Sequence, residues 1–220
     1  MVTVKKKVLI VTGGSLDETL LQEYIKKEYD YIIAADRGLL PFQFLDRQPD
    51  CILGDFDSAD AAIVSHYRET GIKMLVHPRM KDETDTHLAL LLAIEEGAQF
   101  ITILGGTGTR FDHSFANISL LTLLLDKQIE GEIVDCHNKI SMLMGGHTKR
   151  IKKEEQYGDF VSLIPYTEAA EKITVKGFLY PLTEETLELG ISRGISNEIV
   201  DEVGEIFFER GILIIVESKD

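Results

Sequence analysis

Basic residues are scarce in this chain: 23 lysines and arginines stand against 37 aspartates and glutamates, a net charge of −14 over 220 residues. Proteins that grip nucleic acid carry a basic face, so a phosphate-backbone partner is excluded. An anionic small ligand is not, because a metal can bring the compensating charge. Cysteine is nearly absent. Cys51 and Cys136 lie in apolar, strand-like runs without CxxC or Cys/His spacing, which excludes a disulfide frame or a zinc site and predicts buried, reduced thiols. His66, His77, His87, His137 and His147 show no zinc-ligand spacing either. No apolar run reaches the roughly 18 residues of a membrane-spanning helix. Residues 1–7 lack the apolar core of a secretory signal. The cytoplasm is therefore the expected compartment, with no membrane partner. Repeats, low-complexity tracts and Pro/Ser-rich linkers are missing too.

What is present is a core and a pattern. The hydrophobic fraction of 44% can bury a real interior, and the length fits one large domain or two modest ones. Lys7-Val8-Leu9-Ile10-Val11-Thr12, closed by Gly13-Gly14, reads as a strand buried on both faces. Ser15 or Asp17 can cap the helix that follows, where Leu20, Leu21, Tyr24 and Ile25 recur at helical spacing. Further strands are predicted at 31–35, 51–53, 73–76 and 100–104, and helices at 38–45, 61–70, 85–96 and 112–126. Strict alternation of this kind points to a doubly wound, mostly parallel α/β sheet.

The pattern changes near residue 130. From Glu132 on, short apolar runs recur without helices between them: Ile133-Val134, 140–144, 160–165, 173–175 and 207–216. Gly145-Gly146, Gly158, Gly177 and Gly211 punctuate them. This predicts a smaller C-terminal antiparallel β domain, a sandwich or partial barrel.

Four predicted strands of the first half end in acids: Asp36-Arg37-Gly38, Gly54-Asp55-Phe56-Asp57-Ser58, Lys81-Asp82-Glu83-Thr84-Asp85 and Arg110-Phe111-Asp112-His113. In a parallel sheet such turns share the edge at the carboxyl ends of the strands, where ligands bind. Carboxylates gathered there repel by about 4 kcal/mol per close pair near a protein surface. A hard divalent metal carrying phosphate relieves that repulsion. Plain alternatives stand beside this: Asp57 or Ser58 as a helix cap, Thr84 as a cap with Asp82 and Glu83 favouring the helix dipole. Gly105-Gly106-Thr107-Gly108-Thr109-Arg110 is a turn able to aim backbone N–H groups at an anion while Arg110 clamps it. It is not a Walker A loop, since no Gly-Lys-Ser/Thr closes it. Gly13-Gly14-Ser15 does not continue into a dinucleotide fingerprint.

Together these residues resemble the thiamine pyrophosphokinases of bacterial type. The likeness rests on Gly54-Asp55-Phe56-Asp57-Ser58, Asp82-x-Thr84-Asp85, Gly105-Gly106-x-Gly108-x-Arg110-Phe111-Asp112-His113 and Gly194-Ile195-Ser196-Asn197-Glu198, in that order over nearly the whole chain. It implies an N-terminal α/β catalytic domain over 1–137 for ATP and Mg²⁺, and a β-sandwich domain over 138–220 that helps bind thiamine. It also implies a homodimer with each active site between subunits. The implied reaction moves pyrophosphate from ATP to the hydroxyl of thiamine, giving thiamine diphosphate and AMP. Carried over by position, Asp55, Asp57 and Asp85 hold Mg²⁺, and Asp57, Asp85 and Arg110 are catalytic. Thr84, Arg110, Asp112 and His113 line the nucleotide and phosphate path. Asp36 serves the thiamine end or the metal's water shell, and Ser196 and Asn197 contact thiamine from the β domain. Some relatives stack a tryptophan on the thiamine ring; this chain has none. The competing reading is a metal-dependent phosphohydrolase acting on a nucleotide or phosphate ester through the same Asp-x-Asp turn.

Overall fold

Continuous apolar runs become strands covered on both faces wherever helices alternate with them, and the first half of the chain follows that rule. The computed structural model describes residues 5–55, 61–78 and 82–220. It divides into two compact units, Met1–Cys136 and His137–Asp220.

In the first unit the elements are β1 (Lys7–Val11), α1 (Glu18–Ile25), β2 (Tyr31–Ala35), β3 (Cys51–Gly54), α2 (Ala61–Thr70), β4 (Lys73–Val76), α3 (Asp85–Glu95), β5 (Phe100–Leu104), α4 (Phe111–Leu120), α5 (Thr122–Leu125) and β6 (Glu130–Val134). The strands lie in the order β4-β3-β2-β1-β5-β6, and each neighbouring pair is parallel. Val8, Leu9, Ile10 and Val11 of β1 are completely buried, as the central strand of a doubly wound sheet requires. The chain builds outward from β1 to β4, then returns to the other side of β1 as β5. That reversal puts the topological switch point between the carboxyl ends of β1 and β5, where open α/β sheets bind ligands.

Caps decide where the helices start. Asp17, rather than Ser15, caps α1: its Oδ1 accepts from Leu20 N at 2.8 Å. Thr84 caps α3, accepting from His87 N at 3.2 Å. The helix expected over 38–45 is a 3-10 stretch, Asp36–Phe44, with Pro41 inside it. The helix expected over 112–126 is broken at Leu121 into α4 and α5. Two readings need correction. Ile133-Val134, grouped with the antiparallel half, belongs to β6 and pairs parallel with β5. Cys136, expected to be buried, is exposed, while Cys51 is buried in β3. β6 ends at Val134, so Cys136 falls past the last residue that the sheet covers.

The second unit contains β7 (Asn138–Met144), β8 (Thr148–Lys152), β9 (Phe160–Pro165), β10 (Ala169–Lys176), β11 (Leu182–Glu188), β12 (Val203–Phe207) and β13 (Ile212–Ser218). One antiparallel sheet runs β7-β13-β9 and the other β11-β10-β12-β8. Val161, Leu163, Leu213 and Ile215 of the first meet Ile151, Ile173, Val175, Leu187 and Ile206 of the second, with Phe208 among them. Two sheets sharing one interior make a β-sandwich. Burying Phe208 alone contributes about 1.5–3 kcal/mol. The apolar run 207–216 is not one strand; it is the end of β12, a turn through Gly211 at φ +102°, and the start of β13. β8 and β11 escaped the sequence reading because each turns a single fully buried residue, Ile151 or Leu187, to the core. They are the edges of their sheet, where charge prevents pairing with other chains. Among the described residues no helix is long and apolar enough to cross a membrane.

Candidate active site

At the switch point the loops after β1 and β5 are bound to each other by backbone. Thr12 N donates to Leu104 O (2.9 Å), Gly14 N to Gly105 O (3.0 Å) and Ser15 N to Thr107 O (2.8 Å). Contact this close excludes side chains. A Cβ on Gly14 would stand 2.2 Å from Gly105 O, and one on Gly105, whose φ is +71°, would stand 2.3 Å from Thr12 O. The glycines therefore weld two loops together. Thr12 Oγ1 and Thr86 Oγ1, both buried, hydrogen-bond at 2.9 Å and fasten the first turn of α3 to the end of β1.

Around this weld is a crevice of about 670 Å³. Asp36, Asp55 and Asp85, from the ends of β2 and β3 and the start of α3, line it together with Thr84, Arg110 and His113. Asp36 is the most informative of them. Its backbone sits in the left-handed region at φ +49°, a conformation costing about 1 kcal/mol for a non-glycine residue and found preferentially at functional sites. Burial raises its pKa, as do the charges of Asp85 and Asp55, while a hydrogen bond from the Arg37 backbone pulls the other way. Asp36 thus feels the charge of carboxylates 19 and 49 residues away in sequence. Asp57, the fourth acid expected here, lies outside the described residues.

The turn after β5 is tied to α4 and to the loop after β6. Gly108 N donates to Ser114 Oγ at 3.0 Å, and Asn117 Nδ2 donates to Gly106 O at 2.7 Å. Thr107 Oγ1 donates to Asp135 Oδ2 at 2.8 Å. The N–H groups of Gly14, Ser15 and Gly108 are thus engaged inside the protein. Ser114 and Asn117 are the residues that sequence reasoning missed. Both are polar and buried on α4. Polar residues three apart on the inward face of a helix are the signal that could have found them. Arg110 and Asp112 form a forked pair, Nε to Oδ1 at 3.2 Å and an NH2 nitrogen to Oδ2 at 2.5 Å. Their side chains are 70% and 64% exposed. Those hydrogen bonds hold the Asp112 carboxyl below the usual range and raise the guanidinium.

Ser196 and Asn197 belong to the second unit. Ser196 has φ +56°, and its N–H donates to Ser162 Oγ at 3.0 Å. The Asn197 side chain is committed to backbone: Oδ1 accepts from Tyr180 N (3.0 Å) and Glu198 N (3.0 Å), and Nδ2 donates to Tyr180 O (2.8 Å). These bonds clamp the backbone of Tyr180, a residue that is 65% exposed.

Known proteins share the sequence pattern and the fold. Residues 21–133 match the family model described as thiamin pyrophosphokinase, catalytic domain, and residues 147–213 the one described as thiamin pyrophosphokinase, vitamin B1 binding domain. The thiamine pyrophosphokinase of Bacillus subtilis (strain 168) is 33% identical over 98% of this chain and 100% of its own length. A crystal structure of the Bacillus subtilis protein superposes with a TM-score of 0.87 at 32% identity, covering 98% of this chain and 100% of that one. The thiamin pyrophosphokinase from Geobacillus thermodenitrificans superposes with a TM-score of 0.84 at 33% identity, over 97% and 98% of the two chains. A phosphohydrolase finds no support in these matches.

Proposed function

This chain belongs to the thiamine pyrophosphokinase family, and from that premise we propose how its own residues transfer pyrophosphate from ATP to the hydroxyl of thiamine. The observation that carries the assignment of roles is the convergence of Asp36, Asp55 and Asp85 with Thr84, Arg110 and His113 on one crevice at the switch point.

Among the described residues no three acid, histidine or cysteine side chains are grouped so as to hold a metal ion, and it is the chemistry of the crevice's donors that suits Mg²⁺. They are carboxylate oxygens, the ligands a hard cation selects, and the upward shift of Asp36, caused first by burial and then by the charges of Asp85 and Asp55, includes a repulsion that a cation relieves. When bound, the ion would act as a Lewis acid that neutralises phosphate charge. Asp55, Asp57 and Asp85 are its ligands in this reading; the part of Asp57 rests on its place in Gly54-Asp55-Phe56-Asp57-Ser58.

The chain itself contributes position and charge, which dominate this class of transfer. Thr84 and His113 border the phosphate path. Arg110 exchanges its fork on Asp112 for phosphate oxygens and takes up charge as it develops on the transferring group. The thiamine hydroxyl attacks the β-phosphorus, its proton passes to Asp57 or Asp85, and AMP leaves. Asp36 holds the metal's water shell or the thiamine end. Ser196 and the Asn197 clamp, within the part of the chain that matches the vitamin B1 binding model, support thiamine. The working form is a cytoplasmic homodimer with each active site between subunits, supported by the family resemblance alone.

Chromatography of a reaction containing ATP, thiamine and Mg²⁺ tests this. AMP and thiamine diphosphate form one for one. ADP in place of AMP would make the chain a monophosphate kinase, and phosphate released without thiamine would make it a hydrolase.

A further inference from the structure

Helix α4 starts from a residue that does not cap it. Arg110 holds the cap position, with extended backbone at φ −87° and ψ 106°, and its side chain makes no capping hydrogen bond. Serine, threonine, aspartate or asparagine is preferred there, because a short side-chain oxygen reaches the free N–H groups of the first turn. Proteins break such local rules at functional sites and compensate elsewhere. Here the compensation comes from inside the helix. Ser114 Oγ accepts from Gly108 N at 3.0 Å and donates back to Arg110 O at 3.2 Å, with Gly108 O at 3.4 Å as its alternative acceptor. Three residues on, Asn117 Nδ2 donates to Gly106 O at 2.7 Å. Both side chains are buried, and both residues line the acid-lined crevice.

Residues three apart share a helix face, so Ser114 and Asn117 meet the loop together, at Gly108 and Gly106. Two such rungs fix the register of the loop on the helix, since a slip of one residue breaks both. The loop ends at Arg110. We propose that Ser114 and Asn117 are positioning residues for the transfer: they fix the point from which Arg110 reaches the crevice and act on turnover through its guanidinium. The inference deepens the pyrophosphokinase reading and rests on it. The fork between Arg110 and Asp112 does not do this work, because both partners ride on the same exposed turn and move with it. The bonds of Ser114 and Asn117 tie that turn to the buried face of α4 instead.

A double-mutant cycle on the full chain tests this, read as kcat and KM with ATP, thiamine and Mg²⁺. Ser114→Ala should lower kcat by about 10- to 100-fold, the effect of misplacing a catalytic group by about 1 Å, with KM for thiamine unchanged. Ser114→Thr, which keeps the hydroxyl, should restore most of that loss. In an Arg110→Ala background, Ser114→Ala should remove no more than about 2-fold further. Losses that multiply in the double variant overturn the inference, as does an undiminished kcat for Ser114→Ala. If circular dichroism shows that Ser114→Ala does not fold, Asn117→Ala enters the same cycle with the same expected results. Should neither fold, the two residues are structural alone and the inference fails. Arg110→Ala at full turnover removes Arg110 from the machinery and the inference with it. An unsubstituted chain that makes no AMP from ATP and thiamine is a different result: it sinks the pyrophosphokinase reading on which this role of Arg110 rests.

Discussion

Two regions of the molecule handle negative charge in opposite ways, the strands of the β unit and the crevice of the α/β unit. In the β unit, glutamates lie against cations on neighbouring strands or turns: Arg150 on Glu205 at 2.8 Å, Lys172 on Glu209 at 2.9 Å, Arg193 on Glu185 at 3.1 Å. Even its buried acid, Glu217 at 2% exposure, accepts from Lys139 Nζ and Tyr157 N, both at 2.9 Å. In the crevice of the α/β unit, Asp36, Asp55 and Asp85 share one lining, and burial first, then the charges of the other two, raise the pKa of Asp36. Paired acids build a scaffold. Acids that share one crevice add to the cost of ionising Asp36, and that difference separates the site from the surface better than any count of acids does.

The largest effect should come from stripping the cation from the buried acid. Lys139→Met leaves Glu217 without its ammonium partner and should cost about 3–5 kcal/mol in urea denaturation. A loss below about 1 kcal/mol would mean that Tyr157 N and water suffice. Next is the crevice. Thr84, not Asp85, caps α3, so Asp85→Asn should lower turnover by about 100-fold or more while shifting stability by less than about 1 kcal/mol. Near-normal turnover would remove Asp85 from the machinery.

Asp36 sharpens the contrast through pH. Its folded carboxyl keeps the proton to higher pH than in the unfolded chain. The stability this gives is complete below the ordinary carboxyl range and is lost as pH rises through the elevated value. Asp36→Asn escapes that loss. In metal-free protein its melting midpoint should exceed that of the unsubstituted chain at neutral pH and match it near about pH 3. Equal midpoints at both pH values would show that the repulsion has no energetic weight. The smallest effect belongs to the surface of the β unit: Glu205→Gln, against Arg150, should cost about 0.2–1 kcal/mol, and less in high salt.

Much of the α/β unit was legible before the structure, because its strands are uninterrupted apolar runs. Tyr31–Ala35, Lys73–Val76 and Phe100–Leu104 begin and end where their composition changes. The β unit was less legible. β8 and β11 are charged edges with one fully buried residue each, and the turn at Gly211 is hidden inside an apolar run. At the site, the acids declared themselves as pairs and clusters after strands. Ser114 and Asn117 did not, since a buried polar residue within an apolar helix looks like any other exposed one until its partner loop is in place.

Local chemistry, written in residue order, determined the alternation of strand and helix, the cap at Thr84, and the acids that follow β2 and β3. Those depend on neighbours a few residues away. Only the tertiary structure decided that β5 returns beside β1, that Gly14 and Gly105 weld their loops, that Asp36 feels Asp85, and that Asn197 is spent on Tyr180. Each of these is a contact between distant segments, set by the packing of the whole sheet or sandwich, and no local pattern of residues specifies it.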